Sequence, residues 1–172
     1  YNVSVVDNVP FIEYTPDADV KKQIDIISSD VKEVPCGYRQ NIPLAFHHIT
    51  TGIRFKVAFP CTVKSLQIVG VYGKGSYSMD GIWSVDKTGT AENPAIKTFT
   101  VFTGANKSVT AGDYITADDE ILMMVPQMLP DDAKVVLTYD DDQVIEASLK
   151  GMRWDKGKLV TYTIYDQKET TE

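Results

Sequence analysis

The sequence predicts an all-β sandwich, and two features carry that prediction. Runs of residues alternate between apolar and polar side chains, and turn-forming residues return about every 8 to 12 positions. The alternation is plainest over residues 42–59, where Ile42, Leu44, Phe46 and His48 are followed by Ile53, Phe55, Val57 and Phe59. A side-chain period of two gives each run one apolar and one polar face, as in half-buried strands. Between the two runs, Thr50-Thr51-Gly52 reads as a hairpin turn, because Gly accepts turn backbone without steric cost. Other turn signals include Pro35-Cys36-Gly37, Gly73-Lys74-Gly75, Asp80-Gly81, Pro130-Asp131-Asp132 and Asp140-Asp141-Asp142.

Taken along the chain, the first ambiguous stretch is residues 20–31. Val20, Ile24, Ile27 and Val31 have helical spacing behind Asp17 and Asp19, whereas Ile24 and Ile26 alternate around Asp25. A short strand at residues 23–27 is the expectation. Residues 63–72, 96–102, 134–139 and 143–149 are rich in β-branched and aromatic side chains and read as strands. Residues 85–94 are polar and read as a large loop or a boundary between two lobes. Ile121-Leu122-Met123-Met124-Val125 is apolar throughout, a strand buried on both faces and halted by Pro126. Residues 158–165 alternate, with Val160, Tyr162 and Ile164 on one side and Thr161 and Thr163 on the other.

The totals fit a globular chain with one good core or two small ones. The chain has 172 residues, 43% of them hydrophobic, and a net charge of −7. Mean hydropathy is −0.16 and the pI is about 4.8. Such an acidic chain lacks the basic patch that a general nucleic-acid binder needs to release counterions. No apolar run approaches the roughly 18 to 20 residues that span a bilayer. The chain opens at Tyr1 with no signal-like segment, which points to a processed chain or an excised piece.

No set of residues converges on a reaction. His47 and His48 are neighbours, so on a strand they point to opposite faces and cannot share a metal. His48 shares the face of Phe46 and is expected in the core. There is no GxSxG elbow, and Gly70-Val71-Tyr72-Gly73-Lys74-Gly75-Ser76 lacks the phosphate-loop order, so it reads as a strand-ending turn. The acidic clusters have no EF-hand spacing. No cofactor or metal is expected. Arg39, Arg54, Lys56, Lys64 and Lys74 are scattered and read as a solvated face. Trp83 and Trp154 are read as core aromatics, with an exposed sugar-stacking pair as the alternative. Cys36 and Cys61 are either two free thiols or a disulfide closing a loop of about 25 residues, the bond then being worth roughly 3 kcal/mol.

Three stretches together resemble the fimbrillin-like family of Bacteroidetes surface proteins, which supplies subunits and tip or anchor components of type V pili. The first is Gln23-Ile24-Asp25-Ile26-Ile27 followed by Leu44-Ala45-Phe46-His47-His48-Ile49 and Ile53-Arg54-Phe55-Lys56-Val57. The second is Leu66-Gln67-Ile68-Val69-Gly70 with Gly75-Ser76-Tyr77 and Gly81-Ile82-Trp83. The third is Leu122-Met123-Met124-Val125-Pro126-Gln127, then Trp154, Gly157-Lys158 and Tyr162.

The resemblance implies a transthyretin-like or immunoglobulin-like antiparallel β-sandwich, with residues 1–172 as a single domain of a longer lipoprotein precursor. It implies a non-enzymatic structural or adhesive role at the cell surface, attached to the outer membrane or built into a fimbrium. Partners would be other pilus subunits joined by strand exchange, and a host protein or glycan beyond them. The strands it points to are residues 1–6, through Val3 and Val5, and the C-terminal strand, through Val160, Tyr162 and Ile164. The alternative function is a glycan-binding surface module using Trp83 or Trp154.

Overall fold

A computed structural model of the chain describes residues 1–6 and 9–165. In chain order its strands are β1 (Asn2–Val6), β2 (Val9–Tyr14), β3 (Ile27–Ser29), β4 (Phe46–His48), β5 (Thr51–Val57), β6 (Cys61–Tyr72), β7 (Gly75–Ser78), β8 (Trp83–Val85), β9 (Ile96–Val109), β10 (Leu122–Met124), β11 (Gln127–Met128), β12 (Lys134–Tyr139), β13 (Val144–Ser148), β14 (Arg153–Trp154) and β15 (Leu159–Ile164). A 3-10 turn, Val20–Lys22, precedes β3.

Two sheets enclose the main core. One runs β13-β12-β6-β9 and the other β10-β5-β15. Val63, Leu66, Ile68 and Val71 of β6 face Ile53, Phe55 and Val57 of β5, with Leu137, Leu122, Met124 and Trp154 filling between them. The inward set of β6 changes parity twice, and the strand manages this with bulges between Val63 and Ser65 and between Val69 and Val71. Each bulge adds one residue and so returns the apolar set to the core face. Gly70 makes the second bulge possible. Its φ is +83°, and a Cβ there would lie 2.6 Å from the Asp132 carbonyl oxygen.

A four-stranded sheet, β1-β2-β7-β8, covers a smaller core of Tyr14, Ile26, Ile49, Tyr77 and Val125. The buried Tyr14 hydroxyl donates to the carbonyls of Met123 (3.0 Å) and Ile24 (3.2 Å). Burial, with Asp25 adding to it, raises the Tyr14 pKa, so this hydroxyl stays a donor. Two glutamine side chains extend the ladders where strands stop. Gln127 accepts from Tyr72 N–H (2.9 Å) and donates to the carbonyls of Tyr72 (3.1 Å) and Val125 (3.0 Å). Gln23 accepts from Met123 N–H at 2.6 Å and donates to the Asp17 carbonyl at 2.7 Å. Each amide mimics a peptide group, and so pairs backbone groups that no strand reaches.

Several sequence expectations need correction. The strand expected at residues 23–27 is displaced, with only Ile27 of that span in a strand. Asp19 caps the 3-10 turn by accepting from Lys21 N–H, Gln23 and Asp25 spend their side chains on neighbouring loops, and pairing starts at Ile27. The turn expected at Thr50-Thr51-Gly52 is absent: Thr51 and Gly52 lie inside β5, and β4 pairs with β3 instead. His48 is exposed, and its Nδ1 pairs with the Asp25 carboxylate rather than with the core. Arg54 leaves the expected solvated face. Its guanidinium lies 3.6 Å from the Tyr114 ring centre and is buried beneath it, with Nη2 2.8 Å from Asp118 Oδ1. One pairing also departs from the otherwise antiparallel order, because β15 runs parallel to β5.

Replacing Gln127 with Leu leaves the Tyr72 and Val125 backbone groups without partners. It should cost about 2 kcal/mol, read as a Tm lower by about 4 to 8 °C in thermal denaturation. Lys150→Ala, which removes one exposed contact to Asp131, should stay within about 0.5 kcal/mol.

Candidate functional site

Unpaired strand edges are where a β-protein meets other chains, because each edge carries a row of free N–H and C=O groups. β1 is the outer strand of its sheet, bonded on one side to β2 from Asn2↔Glu13 to Val6↔Val9. Val3 and Val5 point to solvent and are 64% and 63% exposed. Among the described residues, nothing covers the apolar side chains of this edge.

β15 is the outer strand of the other sheet, in register with β5 from Leu159↔Gly52 to Ile164↔Val57. Val160, Tyr162 and Ile164 are partly buried and packed on the main core. The Tyr162 ring stacks on Phe55, with centroids 5.5 Å apart and planes at 24°. Its hydroxyl accepts from Trp154 Nε1 at 2.9 Å. Burial pushes the Tyr162 pKa up, against the pull of that hydrogen bond. β15 is therefore seated by one face and, among the described residues, open along one edge. β1 and β15 belong to different sheets.

The remaining residues singled out from the sequence lie elsewhere. Trp154 is fully buried in the main core. Trp83 is half-buried, donates from Nε1 to the Ile49 carbonyl at 2.6 Å, and leans on Tyr77 with centroids 5.4 Å apart. Both tryptophans border a cleft of about 420 Å³ between Gly81–Trp83 and Arg153–Lys156, but their rings are packed rather than laid open. Cys36 and Cys61 are free thiols, the first exposed and the second half-buried at the start of β6. Burial, with Asp140 nearby, raises the Cys61 pKa.

The titratable groups form small ion pairs, and Lys74 stands between two carboxylates, Glu13 at 3.3 Å and Asp86 at 3.9 Å. His47 reaches Asp30 at 3.9 Å, and Asp25 receives both His48 and the Thr50 hydroxyl. Glu120 is held below the usual carboxylate range by the hydrogen bond from Lys21 at 2.9 Å. That depressed value means the pair stabilises the fold above the ordinary carboxylate pKa, and the contribution is lost as pH falls through the folded value. Among the described residues, no group of three His, Cys, Asp or Glu could hold a metal ion. Among the described residues, no helix is long and apolar enough to cross a membrane. Sequence reasoning missed the β15 edge as a parallel one, because a period of two reports a strand's faces and says nothing of its direction.

A family model described as fimbrillin-like matches residues 1–172. No curated protein matches the chain. Among solved structures, it is similar to a candidate cell adhesion protein from Bacteroides uniformis ATCC 8492, at 14% identity and a TM-score of 0.54, over 92% of this chain and 67% of that one. It is also similar to a candidate cell adhesion protein from Bacteroides ovatus ATCC 8483, at 14% identity and a TM-score of 0.55, over 90% of this chain and 54% of that one. At these identities the likeness is one of fold. The chain spans about two thirds and about half of the two proteins.

Two measurements check the geometry. Tyr162→Phe strips the partner from a buried indole N–H and should cost about 1 to 3 kcal/mol in chemical denaturation. Thiol titration of the native protein at pH 8 should show one fast equivalent, Cys36, and one slow equivalent, Cys61, whose raised pKa leaves less thiolate. Both should react fast in denaturant.

Proposed function

Because this chain belongs to the fimbrillin-like family over its whole length, we propose that it is a non-enzymatic fimbrial subunit of the cell surface that joins its neighbours by strand exchange through β1 and β15. The observation that carries this reading is that both strands are sheet edges among the described residues, with Val3 and Val5 exposed on one and no strand paired to the outer side of the other. In strand addition, main-chain hydrogen bonds supply affinity and pockets for alternate side chains supply specificity. Val160, Tyr162 and Ile164 have the required alternation, each docking against a core that a neighbour's strand could equally occupy.

Exchange at β1 would open the edge of β2. That strand is bonded to β7 on its other side, so the sheet would keep a template while its partner changed. Attachment to the outer membrane, and a shaft, tip or anchor position, follow the same reading. The packed state of Trp83 and Trp154 favours this role over a glycan-binding module, whose rings would stand exposed.

The test compares the full chain with one trimmed of residues 1–8 by a protease site placed after Asn8. Trimmed protein should form ladders on unboiled SDS gels and filaments in electron micrographs, and Val160→Asp with Ile164→Asp should abolish both. A product that stays monomeric before and after trimming sinks the strand-exchange reading.

A further inference from the structure

β15 lies in a groove built by the rest of the molecule. β5 supplies the bonding edge, from Leu159↔Gly52 to Ile164↔Val57, and the main core supplies seats for Val160, Tyr162 and Ile164. Alternation alone leaves one question open for any strand that enters here. A period of two fixes which face is inward, and a slip of two residues keeps that face inward. A slipped strand would still bond to β5 and still lay apolar side chains in the seats. Something besides the pattern has to mark the register.

Two marks are present, and both belong to the groove rather than to the strand. Gly52 is the only residue of β5 without a side chain, and Leu159 lies over it, so that a Cβ on Gly52 would come within 2.9 Å of Leu159 Cδ1. The second mark is polar. Trp154 is 1% exposed, and among the described residues its indole N–H has one partner, the Tyr162 hydroxyl at 2.9 Å. This donor is positioned by strands other than β15. Trp154 pairs with Gln127 across β14 and β11, and the Gln127 amide is bonded in turn to the carbonyls of Tyr72 and Val125. Phe55 stacks on the Tyr162 ring, so one contact places the ring and the other places its hydroxyl. Of the three side chains of β15 that pack on the core, only Tyr162 carries an acceptor. Shifted by two residues, the strand would offer the indole a valine or an isoleucine. An apolar seat separates similar side chains weakly, whereas a buried donor built to meet a hydroxyl strongly rejects a strand that lacks one.

We infer that Trp154 reads the incoming strand: its indole N–H selects a second copy's β15 by the tyrosine at position 162 and fixes the register in which that strand runs along β5. The inference rests on the strand-exchange reading above and states what that exchange requires of its partner. An acceptable strand carries three inward residues at alternate positions, with a hydroxyl-bearing aromatic as the middle one. Subunits whose equivalent strand has phenylalanine or an aliphatic residue there are excluded from the same polymer.

Peptides test this on the wild-type chain trimmed of residues 1–8, so the protein itself carries no substitution. A peptide of residues 158–165 should occupy the groove and shorten the SDS-resistant ladders. Its Tyr162→Phe form lacks the hydroxyl. A second form, Val160→Tyr with Tyr162→Val, keeps composition and alternation but moves the hydroxyl by two residues. Each should need at least about tenfold more peptide for the same shortening. On a Trp154→Phe chain, which has no indole N–H to satisfy, the tyrosine and phenylalanine peptides should act alike; if that variant does not fold, the wild-type comparison decides alone. Ladders that all three peptides shorten equally, ladders that none of them shortens, or a tyrosine preference that survives Trp154→Phe leave strand exchange standing and overturn the inference. A trimmed chain that forms no ladders at all brings down the strand-exchange reading and this inference with it.

Discussion

β5 is buried on both faces, and every backbone group it carries must therefore find a partner inside the protein. That demand organises the molecule. On one edge β10 pairs with Thr51 to Ile53, and residues 112–115 continue the line, with Ile115 N–H on the Phe55 carbonyl (2.9 Å) and Gly112 N–H on the Val57 carbonyl (2.7 Å). On the other edge β15 serves Gly52 to Val57. One face presses Ile53, Phe55 and Val57 into the main core, and the other holds Gly52 and Arg54 beneath Ile121, Tyr114 and Asp118. The space over Gly52 is so tight that a Cβ would lie 2.9 Å from Leu159 and 3.2 Å from Ile121. Removing β15 would uncover a central strand, so its docking and the integrity of the sheet are one problem.

Burial of Arg54 follows from the same constraint. At Arg54 the strand is covered on both faces, so the guanidinium lies over the Tyr114 ring and its charge is answered by Asp118 at the surface. At the ends of short strands the chain faces the opposite shortage, backbone groups with no strand to pair them. Gln127 and Gln23 fill it with side-chain amides, which lets the smaller core grow beside the larger one without a continuous sheet between them.

The strands of the main core were legible because their cause is local. Ile53, Phe55 and Val57 alternate, as do Val160, Tyr162 and Ile164, and both sets pack as a period of two demands. Residues 42–48 have the same pattern and do not pack. Alternation specifies that a face is apolar and leaves its cover to the rest of the chain or to another molecule. His48 was misplaced for that reason, having been assigned to a core that Phe46 does not enter. Glutamine surrogates, the parallel direction of β15 and the burial of Arg54 all depend on partners far away in sequence, with Gln23 and Met123 a hundred residues apart. No window of neighbouring residues contains that information. At the candidate site, the open edges belong to this second class, since an edge is defined by a strand that is absent.

The parallel pairing of β5 and β15 sets the order in which the chain can fold. Strands that run the same way cannot be joined by a tight turn, and here the whole stretch from β6 to β14 intervenes. Closing so long a loop costs entropy before any contact repays it, so this pairing is a slow, late event. A chain emerging from its N-terminus would carry a half-dressed β5 until the final strand arrived. Until then the molecule keeps an unsealed centre, with one side of β5 waiting for a strand made last.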